Sequence, residues 1–563
     1  MTRVFAVFAA LCMSVLLAGQ APRPQMVEYQ LRPVLERGAL TSIAIELRFR
    51  GEPDGETVLQ LPNSWGGEDE LWRGVADLRV DGAAMREGDD PAVRVLSHRP
   101  NARIRVRYRI VQDWEGEPSA GAGRRNPYRP IVQPGYFHLI GNAALIAPQI
   151  DGANPVRLRV RGLPRGWSFA SDLEHEGLSL ARVHASVTVG GDYRVRRGAD
   201  ENVRVAMRGA WGFSDEDFTA QVSEIIAGQR RFWGDDSTPY LVTVTHLAQA
   251  QEGWLSIGGT GLDDAFAFFA TPNAEARMIT RTLAHEGLHS WIPGRIGGMP
   301  EQDEAADYWL SEGFTDFFTG RVLVREALWG PEQFAADLND MLRAYASSPA
   351  RAEPNTRVVA DFWNDQAVSQ LPYQRGRLLA TLWDARLRES GRDLDDAVLE
   401  MRDRARMGDP LNAAAMFPLV MDRFGADVRA EIETHIERGA PILLPENAFG
   451  ACGRVETRTV ANFHRGFDVE ATLANGAIIS GVDPELPAYA AGMRDGMVLL
   501  RRDEGEVGNA EREIVYVVRD GETERAFRYW PRGRGAFELQ QLVLADGLEG
   551  EARARCLAVL GGA

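Results

Sequence analysis

From Met26 to about Val195, apolar and polar positions alternate with period two. Ile43-Ala44-Ile45-Glu46-Leu47-Arg48-Phe49 shows it, as do Ala102 to Tyr108 and Val156-Arg157-Leu158-Arg159-Val160. Such alternation predicts half-buried strands, and Gly, Pro and Asp clusters separate them as turns. The prediction is a two-sheet sandwich over 22–195, with a polar loop at Glu115 to Pro130. Near Arg196 the period changes. Ser214 caps a predicted helix that runs to about Trp233, and Tyr240 to Thr245 reads as a strand. Ile257-Gly258-Gly259-Thr260-Gly261-Leu262-Asp263-Asp264 lacks a phosphate-loop lysine, so it reads as an edge strand or turn running close to another backbone. Thr271-Pro272 is the predicted opening of a helix that ends near Ser290, before Pro293-Gly294. A second helix spans about Asp303 to Leu328, and further helices follow to about Arg438. After a linker with Pro441 and Pro445, short strands return from Ala451 to Tyr529. The remaining tail is expected to pack back on that last unit.

At 563 residues the chain exceeds one core, so several domains are expected. The predicted division is a signal peptide at 1–21, a β domain at 22–195, a mainly helical domain at 196–440 and a small unit with its tail at 441–563. The class is multidomain α+β. The signal peptide is read from Met1-Thr2-Arg3, the apolar run Val4 to Leu17 and small residues from Ala18, which together predict export to the periplasm or outside. No later segment is apolar enough to span a membrane. A net charge of −17 argues against nucleic acid or an anionic membrane as the main partner. Every basic position of the Lys/Arg type is arginine. Beyond the signal peptide two cysteines remain, Cys452 and Cys556, and they form either a disulfide or two unpaired thiols.

The chemistry concentrates in Thr282 to Trp291 and Trp309 to Asp316. His285-Glu286-Gly287-Leu288-His289 places two imidazoles four apart, on one helix face. Two such imidazoles suit two corners of a tetrahedral zinc. Glu312, 23 positions after His289, is the third ligand candidate. Two histidines, a carboxylate and an open position make a catalytic zinc site, since structural sites use four protein ligands. Glu286 then stands beside the ion as general base. Asp316 follows Glu312 by four and shares its face; it is either the acceptor for a ligand histidine's second N–H or an ordinary exposed carboxylate. His175-Glu176-Gly177-Leu178-Ser179 is an internal control: it repeats four of the residues without the second histidine. His98, His138, His175 and His184 read as solvated or internally satisfied.

These residues, with Tyr373-Gln374-Arg375-Gly376, make the chain resemble the glycyl aminopeptidase family of thermolysin-like zinc metallopeptidases, the gluzincins. Pro487 to Gly496 resembles the end of a PDZ domain. The resemblance implies one zinc ion on His285, His289 and Glu312, with Glu286 as base. It implies that Tyr373 donates a hydrogen bond to the oxyanion, and that peptides are the substrates. Relatives carry a Gly-Gly-Leu-Glu-His-like segment before the metal helix, and related aminopeptidases use a Glu there to hold the substrate's α-amine. Here Gly261-Leu262-Asp263-Asp264 occupies that place, so Gly261 and Asp263 are the substrate-binding candidates. A peptide C-terminus is the implied ligand of the PDZ-like unit, with Arg465-Gly466-Phe467-Asp468 as its loop. The implied activity is that of an exported aminopeptidase; the alternatives are a zinc endopeptidase and an inactive PDZ-containing binding protein.

Overall fold

A computed structural model describes residues 25–120, 126–199, 201–235, 239–249, 255–300 and 302–562. The expected signal peptide lies outside the described residues. Among the described residues, no helix is long and apolar enough to cross a membrane.

The N-terminal region is β-rich, as its alternation predicts, but it holds three sheets instead of two. One five-stranded sheet contains Val27–Glu36, Ala39–Arg50 and Arg103–Ile110. Its inward positions, among them Tyr29, Ile45, Leu47 and Val106, are buried in one core, while the alternate positions face out. The additional sheet has a physical cause in Tyr136–Ile140, which is buried at every position. A strand apolar on both faces needs cover on both, and this one packs between the β core and the next domain. His138 on it is fully buried, bonds Thr243 at 3.1 Å, and is pushed down to about 3 by burial. It is a core histidine bonded through Nε2, while its Nδ1 is buried without a hydrogen-bond partner.

The next region begins with a mixed sheet: β1 (Arg194–Arg197), β2 (Val203–Arg208), β3 (Tyr240–His246), β4 (Ile257–Gly261) and β5 (Ala265–Ala270). Their spatial order is β1-β2-β3-β5-β4, so β4 is an edge. β2, β3 and β5 run parallel, and α1 (Asp215–Trp233) makes the crossover from β2 to β3. The helix starts where the sequence placed it: the Ser214 hydroxyl accepts from the Asp217 N–H at 3.0 Å. The sheet packs on α1 and α2 (Ala276–Leu288) through Val205, Val242, Phe268 and Leu283. α2 opens later than predicted, at Ala276. The Thr271 hydroxyl is committed elsewhere, to Asn273 at 2.7 Å and to the Ser256 N–H at 3.0 Å, so it does not cap the helix.

The helical layer contains α3 (Tyr308–Arg325), α4 (Pro331–Ser347), α5 (Leu371–Arg388), α6 (Leu394–Arg406) and α7 (Ala413–Arg423) around one core. The C-terminal boundary differs from the sequence reading. Strand β6 (Gly453–Phe463) pairs antiparallel with the much later β7 (Arg532–Leu544). Val455, Val460, Leu539 and Leu542 of this ribbon belong to the helical core. So does the last helix, α8 (Gly550–Gly561), which packs on α3. The tail therefore returns to the helical core instead of the small unit. Only the stretch between the ribbon strands, about 464–531, has its own core, with Phe467, Met493, Ile514 and Phe527. Cys452 and Cys556 are disulfide-bonded across a separation of 104 residues, which ties α8 to the start of the ribbon. On the chain-entropy account such a loop contributes about 4–5 kcal/mol.

In the small unit the segment after Arg465-Gly466-Phe467 is a short helix, Val469–Ala474, capped by Asp468. Peptide capture by strand addition needs a free strand beside the loop, and here the chain is helical at that point.

Candidate active site

α2 ends at Leu288, with His289 as its C-cap, so both imidazoles project from the last turn. Their rings are 5.0 Å apart and nearly perpendicular, at 86°. His285 Nδ1 lies 2.9 Å from Asp316 Oδ1, and His289 Nδ1 lies 3.0 Å from the Ile292 carbonyl oxygen. Each Nδ1 faces an acceptor and carries its proton. That leaves both Nε2 atoms turned toward Glu312 Oε2, at 3.3 and 3.4 Å. All three ligand atoms lie within 4.8 Å of one another.

The electrostatics test whether a cation fits here. Two imidazole lone pairs and a carboxylate oxygen at these separations repel unless positive charge sits among them. Without an ion, a proton on an imidazole plays that part. Burial opposes charge on His285, yet hydrogen bonds to Asp316 and Glu312 outweigh it and hold the imidazole up at about 10. Burial alone would raise Glu312, but His289 and His285 hold it below the usual carboxylate range. The donor set, two nitrogens and one oxygen with an unfilled corner, is that of a catalytic zinc site. The residues fit the ion.

Glu286 is partly buried, and desolvation raises it above the ordinary range, opposed by the two imidazoles. The Gly261 N–H hydrogen-bonds its carboxylate. A Cβ on Gly261 would lie 2.8 Å from His289 Cβ and 3.1 Å from the Glu286 carbonyl oxygen, so only glycine lets β4 run this close to α2. The Tyr373 ring lies 5.9 Å from that of His285. Burial first, then the charges of Glu312, Glu286 and Asp316, raise its phenol well above the usual range, so it stays protonated and can donate.

Glu312 and Tyr373 meet because α3 and α5 cross backbone to backbone. Gly313 and Gly376 sit at the crossing: a Cβ on Gly376 would stand 1.8 Å from the Trp309 carbonyl oxygen, and one on Gly313 would stand 2.3 Å from Gly376 Cα. Asp316 is buried against His285 Nδ1 and is not an exposed carboxylate. Sequence reasoning missed what holds Asp316. Arg281, one turn before His285, donates to Asp316 at 2.9 Å and to Asp337 of α4 at 2.7 Å. Arg377 of α5 pairs with the other oxygen of Asp337 at 2.7 Å. The position four before a ligand histidine was the available signal. Asp263 is half-exposed and takes a hydrogen bond from Arg182 at 3.2 Å, instead of joining the three ligands.

The segment carrying most of these side chains has a family match. Residues 278–374 match the M61 glycyl aminopeptidase family. The span includes both histidines, Glu286, Glu312, Asp316 and Tyr373. It supports a peptidase. Over its length the structure is similar to an aminopeptidase N family protein from Idiomarina loihiensis, with a TM-score of 0.66 and 13% identity, covering 95% of this chain and 100% of that one. An M1 zinc metallopeptidase from Deinococcus radiodurans gives a TM-score of 0.48 and 18% identity over 75% of this chain and 96% of its own. A yeast leukotriene A4 hydrolase gives 0.46 and 14% over 74% and 68%. At 13% identity the first likeness shows a shared fold. No curated protein sequence matches the chain.

Proposed function

We propose that the protein is a zinc-dependent peptidase of aminopeptidase type, exported and acting on peptides with one zinc ion at His285, His289 and Glu312. The observation that carries this is the convergence of both Nε2 atoms on Glu312 Oε2, with Glu286 beside them. When bound, zinc supplies Lewis-acid polarisation of the scissile carbonyl and lowers the pKa of water. Asp316 and the Ile292 carbonyl hold the two imidazoles in the tautomer that leaves Nε2 free. Glu286, made more basic by burial, takes a proton from the attacking water and later gives it to the leaving amine. Tyr373 keeps its proton and donates it in a hydrogen bond to the developing oxyanion. β4 is an edge strand, and the Tyr128 hydroxyl donates to its Gly259 carbonyl at 2.9 Å, which steadies it beside the site.

Aminopeptidase action assigns the substrate's α-amine to Asp263. Its pairing with Arg182 favours a second reading, an endopeptidase, because the carboxylate is already partly neutralised. N-acetylated peptides separate the two: an enzyme needing the free amine leaves them intact. The peptidase reading itself is tested by Glu286→Gln, which should keep stoichiometric zinc and lose hydrolysis. Parental turnover in that variant would overturn it.

A further inference from the structure

The outer face of the N-terminal five-stranded sheet is strongly basic, in a chain whose net charge is −17. Reading across it in register, one row runs Arg157, Glu28, Arg48, Arg105, Asp81 and the next runs Arg159, Gln30, Glu46, Arg107, Arg79. The acids in these rows are already used. Glu28 pairs with Arg157 at 3.8 Å, Asp81 with Arg107 at 2.9 Å and Arg105 at 3.7 Å, and Glu46 with Arg48. What is left over is positive. Among the described residues, Arg32, Arg50, Arg79, Arg103 and Arg159 are exposed and have no ion-pair partner.

Two of them carry the argument. Arg50 and Arg103 stand directly opposite each other on paired antiparallel strands. Like charges in that position destabilise a sheet, and no carboxylate relieves them. They flank an open groove of about 900 Å³ that Arg48, Arg105 and Met26 also line, together with Glu28 and Asp81, whose carboxylates pair with Arg157, Arg105 and Arg107 instead. A fold keeps such a repulsive pair at little cost if an external anion sits across it.

We propose that this face is a peripheral docking surface for a bilayer rich in anionic phospholipid, with lipid phosphates taking the unpaired guanidiniums. The unpaired guanidiniums lie on five different strands, which favours an extended surface over a single polyanionic strand. Guanidinium suits phosphate because its fork of donors meets two oxygens at once. The outward positions of these strands offer no aromatic rings, so bases of single-stranded nucleic acid have nothing to stack on. The whole-chain charge does not forbid this contact. At physiological ionic strength the Debye length is about 8 Å, so at contact the charges of this face outweigh those elsewhere on the molecule. The proposal does not depend on the peptidase reading.

The test is co-sedimentation of the full chain with phosphatidylglycerol-rich vesicles and with pure phosphatidylcholine vesicles. Binding to the first only, reversed by added salt, is the expected result. Each arginine near an anionic surface is worth roughly a five-fold change in partitioning. The triple variant Arg50→Gln, Arg79→Gln, Arg103→Gln should therefore bind roughly a hundred-fold more weakly, with peptide hydrolysis unchanged and a thermal melt no lower than the parent's, since the Arg50–Arg103 repulsion is gone. Equal binding to both vesicle types, parental binding by the triple variant, or binding to soluble polyphosphate without binding to vesicles would each overturn it.

Discussion

The crossing of α3 and α5 allows a sharp test of how the site is assembled. In Gly376→Ala the new Cβ would be built 1.8 Å from the Trp309 carbonyl oxygen and 2.7 Å from Gly313 Cα. Both neighbours are backbone, so neither can rotate away. Reaching even the shortest contact that Cβ atoms show, 3.0 Å, requires the helices to part by at least about 1.2 Å, which places the substitution at the upper end of overpacking costs, ~3 kcal/mol. For a domain of this size that lowers the melting temperature by roughly 6–12 °C. The functional cost is larger in proportion. α3 carries Glu312 and α5 carries Tyr373, while the histidines stay on α2. A displacement of about 1 Å between reacting groups costs roughly a hundred-fold in rate. The assay pairs thermal melts with zinc affinity by chelator competition and with kcat/KM on a peptide substrate. Gly212→Ala is the control, since nothing lies within 4 Å of its Cβ position. A Gly376→Ala protein with parental melting, zinc affinity and kcat/KM would refute the claim that backbone contact at this crossing sets the site.

Three further outcomes are expected. Tyr373→Phe should lower kcat by roughly a hundred-fold or more with little change in KM, because the lost hydrogen bond forms mainly in the transition state; a pure KM effect would contradict that role. Asp316→Asn should weaken zinc affinity by roughly 10–100-fold, read by chelator competition, because it no longer fixes the His285 tautomer. Asp172 is a buried carboxyl pushed up to about 7 by burial, against a hydrogen bond from the Val187 N–H. Its folded pKa lies above its unfolded one, so its stabilising contribution is full below about 4 and is lost as pH rises through about 7. Asp172→Asn should therefore melt higher than the parent in mildly alkaline buffer, and this advantage should vanish in acid. An equal shift at both ends of the range would contradict the assignment.

The clustering of the candidate ligands was legible in part because helical geometry is local. A spacing of four brings His285 and His289 to one face, and the same spacing linked Glu312 to Asp316. The residues that hold those groups were not legible. Arg281, Asp337 and Arg377 lie on different helices, and only the tertiary crossing brings them together. Gly313 and Gly376 look like ordinary helix glycines until two backbones are seen to touch. Likewise β6 and β7 pair across the whole small unit, so no local pattern could show that the tail rejoins the helical core. Thr271-Pro272 carried the right residues for a helix start, but contacts with Ser256 and Asn273 override that propensity. His175 shows the opposite case: without a partner four positions on, the same first residues make no site.

The most direct test of the central claim is X-ray absorption at the zinc edge, on protein loaded with zinc and on the His285→Ala, His289→Ala and Glu312→Ala variants. The account predicts one zinc per chain, with two imidazole nitrogens at about 2.0–2.1 Å and oxygen in the remaining positions. It also predicts that each variant loses the ion. Stoichiometric zinc with unchanged coordination in any of the three variants would contradict it.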